Sequence, residues 1–342
     1  MLQPLATVWL LALFCLLALI VALAGTRLTR VADRLAVATG WGEAVVGAVL
    51  LGGVTSLSGI TTSVTAALEG QAELSFSNAV GGIAAQTVFI AVADLFYRRA
   101  NLEHASASLT SLMQGVTLIG LLGIVLLAMT APPLTVWSVH PVSPLLLLLY
   151  ILSTRYIAYA GEHPMWQPVK TDDTVEEDSS VDESEEFSVA GLLGQFAVLG
   201  VVVGVAGYFI AQSGLLLAER SGLSQSFVGA LGTSVATSLP ELIVAISAVR
   251  RGAITLAVSN IIGGNTFDLL FLCFADVALR EGSLYHAGTE RQLFIIALTI
   301  LLTAVFLLGL LFRQHDGPAK IGWESSLMIV LFVAGQVVLY FM

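Results

Sequence analysis

Blocks of roughly 20 apolar residues, separated by short charged or Pro/Gly-containing breaks, recur along the whole chain. That is the length an α-helix needs to cross a hydrocarbon core of ~30 Å. A backbone in lipid must satisfy its own hydrogen bonds, which leaves helices or closed barrels, and blocks of this length select helices. Spans are expected near 5–24, 44–68, 74–96, 107–131, 134–158, 188–217, 225–249, 253–277, 290–312 and 322–341. The fold class is therefore an all-α polytopic membrane protein of about ten transmembrane helices. Composition agrees: 57% of the 342 residues are hydrophobic and 11% charged, against about 45–50% and about 25% in soluble domains. An ordinary soluble enzyme is excluded.

The first block ends in Ala22-Leu23-Ala24 but lacks the positive stretch that opens a secretory signal, so it reads as a transmembrane helix. Cys15 and Cys273 lie in apolar runs and read as small buried hydrophobes rather than as a disulfide or zinc site.

Lys and Arg accumulate on the cytoplasmic side of membrane proteins. With both termini outside, eleven basic residues fall in cytoplasmic loops, and only Arg220, Arg280 and Arg291 fall outside. The protein is then a multi-pass cell-membrane protein whose 160–187 segment is a cytoplasmic linker. Nine acids between Asp172 and Glu186 carry nearly all of the net charge of −10. This linker has no apolar periodicity to offset the entropy of ordering it. Nothing here recruits nucleic acid; the partners implied are the lipid bilayer and inorganic cations.

The chain also repeats itself. Residues 46–105 match 228–287 without gaps, 20 identities in 60 positions. Thr55-Ser56-Leu57 returns as Thr237-Ser238-Leu239, Ser77-Asn78 as Ser259-Asn260, Gly81-Gly82 as Gly263-Gly264, and Asp94 as Asp276. Five spans separate the copies, so the second enters the membrane from the opposite side. This predicts two inverted five-helix halves, 1–159 and 188–342, the arrangement of secondary transporters.

Ionisable residues deep in spans are costly and usually functional. Glu241 and Asp268 are the deepest, Glu241 lying ~13–15 Å from the Arg250-Arg251 end of its helix at ~1.5 Å per residue. Ser234, Thr237, Ser238 and Glu241 share one helical face, and Asn260, Gly264 and Asp268 share another. Pro240 frees a backbone carbonyl near Ala236, and Gly263-Gly264 permits close backbone approach. Carboxylate, hydroxyl and amide oxygens suit sodium, calcium and similar hard cations. Asp94 and Asp276 each stand four residues before an arginine, Arg98 or Arg280. They fit either a helix-end ion pair or a gating role.

The segments Thr237-Ser238-Leu239-Pro240-Glu241 and Ser259-Asn260-Ile261-Ile262-Gly263-Gly264-Asn265-Thr266-Phe267-Asp268 resemble the second alpha-repeat of the calcium/cation antiporter superfamily, particularly its sodium/calcium exchanger branch. The resemblance implies cation-ligand roles for Thr237, Ser238, Glu241 and Asp268; Asn260, on the same face as Asp268, and its first-repeat partner Asn78 are further candidate ligands. The first repeat departs from the pattern. Gly59 stands where that family has glutamate, Gln86 stands where it has Asn or Asp, and Gly82 and Gly264 replace a serine that commonly helps bind sodium. Thr55, Ser56, Ser58, Thr61, Thr62 and Gln86 offer neutral oxygens instead, beside Gly81 and Gly82.

The resemblance implies a secondary antiporter moving Ca2+ or another cation by alternating access, coupled to Na+ or H+, with no resident cofactor. A non-transporting cation-binding sensor or partner subunit is the rival reading. An enzyme is not expected, since no nucleophile–base constellation or HExxH segment accompanies the acids.

Overall fold

A computed structural model describes residues 2, 5–39, 56–97, 100–169, 171, 189–250, 252, 254–315 and 321–342. Most of the acidic linker, 172–188, lies outside them, as do the first ten residues of the 46–105 repeat. Apart from one isolated bridge, Val136 to Val139, the described residues form helices, turns and irregular segments. In chain order the helices are α1 Thr7–Thr39, α2 Leu57–Leu68, α3 Ala72–Asp94, α4 Leu102–Ser106, α5 Leu109–Thr130, α6 Val142–Glu162 and α7 Val189–Ser221. They continue with α8 Gln225–Thr237, α9 Leu239–Arg250, α10 Ile254–Asp268, α11 Leu270–Ala278, α12 Glu290–Phe312 and α13 Trp323–Phe341. Eight helical stretches among the described residues are long and apolar enough to cross a membrane, and α8 with α9 forms a further, bent pair.

The helix boundaries repeat at the same offset as the sequence. α1 and α7 are both 33 residues long, and adding 182, the separation of Gln86 from Asp268, to the bounds of α1 gives those of α7. The same shift carries α2 onto α9. Glycines at matched places seat these helices. A Cβ on Gly25 of α1 would lie 2.6 Å from the ring of Pro240, and one on Gly207 of α7 would lie 2.7 Å from the carbonyl oxygen of Ser58. Thus α1 packs on α9 and α7 packs on α2, each half's long helix bracing a site-bearing helix.

The centre of the molecule is α3, which touches α2, α8, α9, α10, α12 and α13 and is almost wholly buried. Its apolar residues are spread evenly around the helix, with no one side more apolar than the rest, the pattern of a helix enclosed by others. Small residues also let backbones approach, as between transmembrane helices generally. A Cβ on Gly81 would sit 2.5 Å from the Cα of Ala230, and one on Gly229 2.8 Å from the Cβ of Ser77. α6 lies at the periphery with most of its surface exposed.

Several expected boundaries move. α1 runs to Thr39 rather than ending at 24, because Arg27, Arg30 and Arg34 do not stop a helix that outruns a ~30 Å core. The fifth span begins at Val142 rather than 134: Trp137 and Ser138 both take positive φ in a tight turn, and Pro141 starts the helix. The seventh span is not one helix. After a short α-helical start at Gln225–Phe227 it winds through a π-helical turn, Val228–Thr233, and bends by 49° at Ser238. The eighth breaks at Leu269, immediately after Asp268.

Candidate functional site

The two breaks bring both halves together at α3. Asp268, at the end of α10, is buried, and each of its oxygens is held by a first-half side chain. Ser56 Oγ donates to Oδ1, and Gln86 Nε2 donates to Oδ2 at 2.6 Å. Gln86 also donates to Ser238 Oγ at 3.1 Å. The offset of 182 maps Gln86 onto Asp268 and Ser56 onto Ser238, so this is one contact made twice and tied together at its centre.

Glu241 follows Ser238 and Pro240 in the first turn of α9. It is 8% exposed, and its Oε2 has no hydrogen-bond partner among the described residues. It lies within electrostatic reach of Asp268. Proline is tolerated here because the first turn of a helix has no intrahelical acceptor to lose. At the end of the preceding helix, the carbonyl of Thr237 takes the hydroxyl of Ser58, from the first half, at 3.0 Å. A buried carboxylate oxygen without a donor, beside a second carboxylate, suits a proton or a hard cation.

The first-repeat counterpart of Glu241 is Gly59, and its missing side chain leaves no vacancy. A Cβ there would lie 2.6 Å from Cε2 of Phe271, so the ring of Phe271 fills the space. Phe271 is itself the 182-offset partner of Phe89. That identity was visible in the repeat, but its bearing on Gly59 was not. The other glycines differ. A Cβ on Gly82 would stand 3.7 Å from Ser238 Oγ, while one on Gly264 would meet nothing within 4 Å. The place of the absent second-repeat serine therefore stays open. Gly263 instead seats Gln114 of α5, whose Nε2 would be 2.9 Å from a Cβ there, a neighbour that the sequence did not signal.

Several other candidates hold helices together through hydrogen bonds. Asn78 donates to Gly59 O at 3.3 Å and to Ser63 Oγ at 2.9 Å, and accepts from Thr233 Oγ1 at 2.7 Å. It clamps α2 and α8 onto α3. Thr61 and Thr62 donate to the carbonyls of Leu57 and Gly207. Asn260 is half-buried on α10, and Thr55 lies outside the described residues. Thr237 Oγ1 donates to Ser234 O at 3.1 Å.

Asp276 forms no i,i+4 ion pair with Arg280, which lies past the end of α11 at Ala278, and Arg98 lies outside the described residues. Each aspartate instead caps a returning chain. Asp94 accepts from the backbone N–H of Leu102 at 2.8 Å and of Gly322 at 3.2 Å. Asp276 accepts from Leu284 N–H at 2.8 Å, His140 N–H at 2.8 Å and Ser143 Oγ at 2.7 Å. Among the described residues no group of three or more His, Cys, Asp or Glu side chains is set to hold a metal ion.

The sequence profile of the sodium/calcium exchanger protein family matches this chain twice, over residues 9–159 and 191–341. The chain belongs to that family. The two matched segments stand at the offset already seen in the helix boundaries and in the Gln86–Asp268 contact. Among relatives, the sodium/calcium exchanger MaX1 of Methanosarcina acetivorans is 30% identical over 141 residues, 41% of this chain and 38% of that one. The inner membrane protein YrbG of Escherichia coli is 29% identical over 133 residues, 38% of this chain and 40% of that one. The matched part thus spans about two fifths of these relatives' length.

Solved structures extend the likeness to the whole fold. The sodium-calcium exchanger NCX_Mj superposes with a TM-score of 0.62 at 18% identity, covering 97% of this chain and 99% of that one. Native YfkE gives 0.63 at 14% identity, covering 96% and 92%. This exchanger-family chain is thus a multi-pass helical membrane protein whose two matched segments meet at Asp268.

Proposed function

We propose that this chain is a secondary cation antiporter that works by alternating access, with Glu241 and Asp268 as its charged ligands. The observation that carries the reading is the junction at α3: a buried carboxylate, Asp268, bonded to both Ser56 and Gln86 from the other half, beside a Glu241 oxygen without a partner among the described residues. A site whose walls come from two halves opens to one side or the other as the halves rock. Supporting this are the family and the relative named a sodium/calcium exchanger.

In this reading the two halves are inverted five-helix repeats. α2, whose N-terminal neighbours lie outside the described residues, is part of a second span and brings the number to ten. Both termini face outward, and the acidic linker lies in the cytoplasm. The transported ion is Ca2+ or another hard cation and the coupling ion Na+ or H+, with no resident cofactor. Two carboxylates offset less of a divalent ion's dehydration than three would, and ligand charge tunes affinity by orders of magnitude. A monovalent or proton-coupled cycle fits two acids more easily.

Purified protein in proteoliposomes, given radioactive calcium under an imposed sodium or pH gradient, tests the reading. Gradient-driven uptake that Glu241→Gln abolishes is expected. Absence of flux for every common cation, or a Glu241→Gln variant equal to the parent, overturns it.

The filling of the Gly59 position by Phe271 and the hydrogen bonding of both Asp268 oxygens favour one second reading, a cation-binding sensor that does not transport. Saturable binding lost in Asp268→Asn, without counterflow, distinguishes it.

A further inference from the structure

Three carboxyl groups from three helices gather at one end of the molecule, away from Glu241 and Asp268. Asp94 closes α3, Glu103 lies on α4, and Glu324 is in the first turn of α13; all three are 0% exposed. Asp94 is bonded to the N–H groups of Leu102 and Gly322. Glu103 Oε1 accepts from Ser325 Oγ at 3.0 Å. Glu103 Oε2 and both oxygens of Glu324 have no hydrogen-bond partner among the described residues.

The opposite end shows which part of this cluster the fold requires. The offset of 182 carries Asp94, Leu102, Gly322 and Ser325 onto Asp276, Leu284, His140 and Ser143. There Asp276 binds Leu284 N–H, His140 N–H and Ser143 Oγ. The aspartate and serine are thus common to both ends and staple the chain. Glu103 and Glu324, however, map onto Tyr285 and Val142. Tyr285 keeps the serine contact, its hydroxyl 3.0 Å from Ser143 Oγ. The staple works without the two glutamates, which makes them additions at one end.

Three carboxylates that face one another out of water cannot all carry charge. Arg313, just past α12, sends Nε and Nη2 to the carbonyl of His104 and Nη1 to that of Val169. His104 Nδ1 lies 2.7 Å from Arg313 O. Of the helices packed on α4, α10 brings Asp268 and α12 brings Glu290 and Arg291, each at its far end. Arg98, Arg99 and Lys320 lie outside the described residues. Burial first, then Asp94 and Glu324, hold Glu103 well above the usual carboxylate range.

We propose that Asp94, Glu103 and Glu324 form a proton-binding site, separate from the Glu241–Asp268 pair, whose bound proton keeps α4 and the start of α13 docked on the end of α3. A metal ion is the poorer occupant, since no three acids here are set to ligate one. The site stands whether or not the chain transports.

Infrared spectroscopy of the full chain in lipid, titrated with pH, reads protonated carboxyl groups directly. At neutral pH a protonated-carboxyl band is expected, losing about one group's intensity in Glu103→Gln and in Glu324→Gln. The melting temperature of the parent should fall as pH rises, and either variant should flatten that fall. The pair Glu103→Tyr with Glu324→Val copies the opposite end and preserves the readout if a glutamine variant does not fold. A band unchanged in all three overturns the proposal, as does an undiminished pH dependence. So does stabilisation by added Na+ or Ca2+ that Glu324→Gln abolishes, which would assign a cation there instead.

Discussion

Gln86 and Asp268 stand 182 residues apart, are the same position in the two copies of the repeat, and touch each other at 2.6 Å. A contact between equivalent positions can exist only on or near the axis relating the halves, so the centre of the pseudosymmetry is also the centre of the candidate site. The amide makes an otherwise repulsive self-contact favourable. Two aspartates there would face each other as like charges, whereas Gln86 donates to Asp268 and to Ser238 at once. Gln86→Leu removes both bonds and strands a buried carboxylate oxygen. It is expected to lower stability by about 1–3 kcal/mol and to abolish any flux, read as a fall in the thermal midpoint of the purified protein and by proteoliposome uptake.

Much of this was legible in the sequence. Apolar blocks located the helices because lipid imposes length and self-sufficient backbone bonding. Depth within the spans singled out Glu241 and Asp268, and their repeat counterparts made Gln86 and Ser56 candidates beside them. What stayed hidden was set by contacts at a distance. Nothing local in Val228–Thr233 announces a π turn, and nothing around Leu269 announces a break. Asp94 and Asp276 read as a helix-end partner of arginine or as a gating group; in space each binds backbone N–H groups of a chain that returns eight residues later and of another much farther on. Gly59 reads in sequence as a lost ligand. In space it is the room taken by Phe271.

That last pairing makes a prediction of its own. Gly59→Ala places a Cβ 2.6 Å from the Phe271 ring, where helix propensity alone would favour alanine by about 1 kcal/mol. Overpacking of this kind costs about 1–3 kcal/mol, so net destabilisation is expected. Phe271→Leu in the same chain should recover most of it. A double-mutant cycle on thermal stability measures the coupling; additive effects would mean that the ring does not hold that space.

Asp276 offers a choice between gate and staple. Asp276→Ala strands two backbone donors and the Ser143 hydroxyl, each worth about 1–3 kcal/mol when left unmet in a buried place. A loss of about 3 kcal/mol or more is expected, with Asp276→Asn less severe because one amide oxygen still accepts. Ion selectivity in reconstituted flux should stay unchanged in Asp276→Asn. A selectivity change with little loss of stability would make this aspartate part of the permeation path.

His140, beside that staple, sets an acid limit on the same end. Its Nδ1 accepts the N–H of Val142 at 3.2 Å, a bond that requires an unprotonated nitrogen. Burial, followed by the neighbouring His286, lowers its pKa below the ordinary 6.5, against the opposing pull of Asp276. Below 6.5 the unfolded chain therefore takes up the proton more readily than the folded one. The stability from neutral His140 is fully present above 6.5 and is lost as pH falls through the lowered folded value. His140→Asn keeps a side-chain acceptor for Val142 and cannot titrate. Its melting temperature should fall less than the parent's when pH is lowered from about 7 to about 5, the range in which histidine changes charge. Parallel acid profiles for the two proteins would remove His140 as the cause.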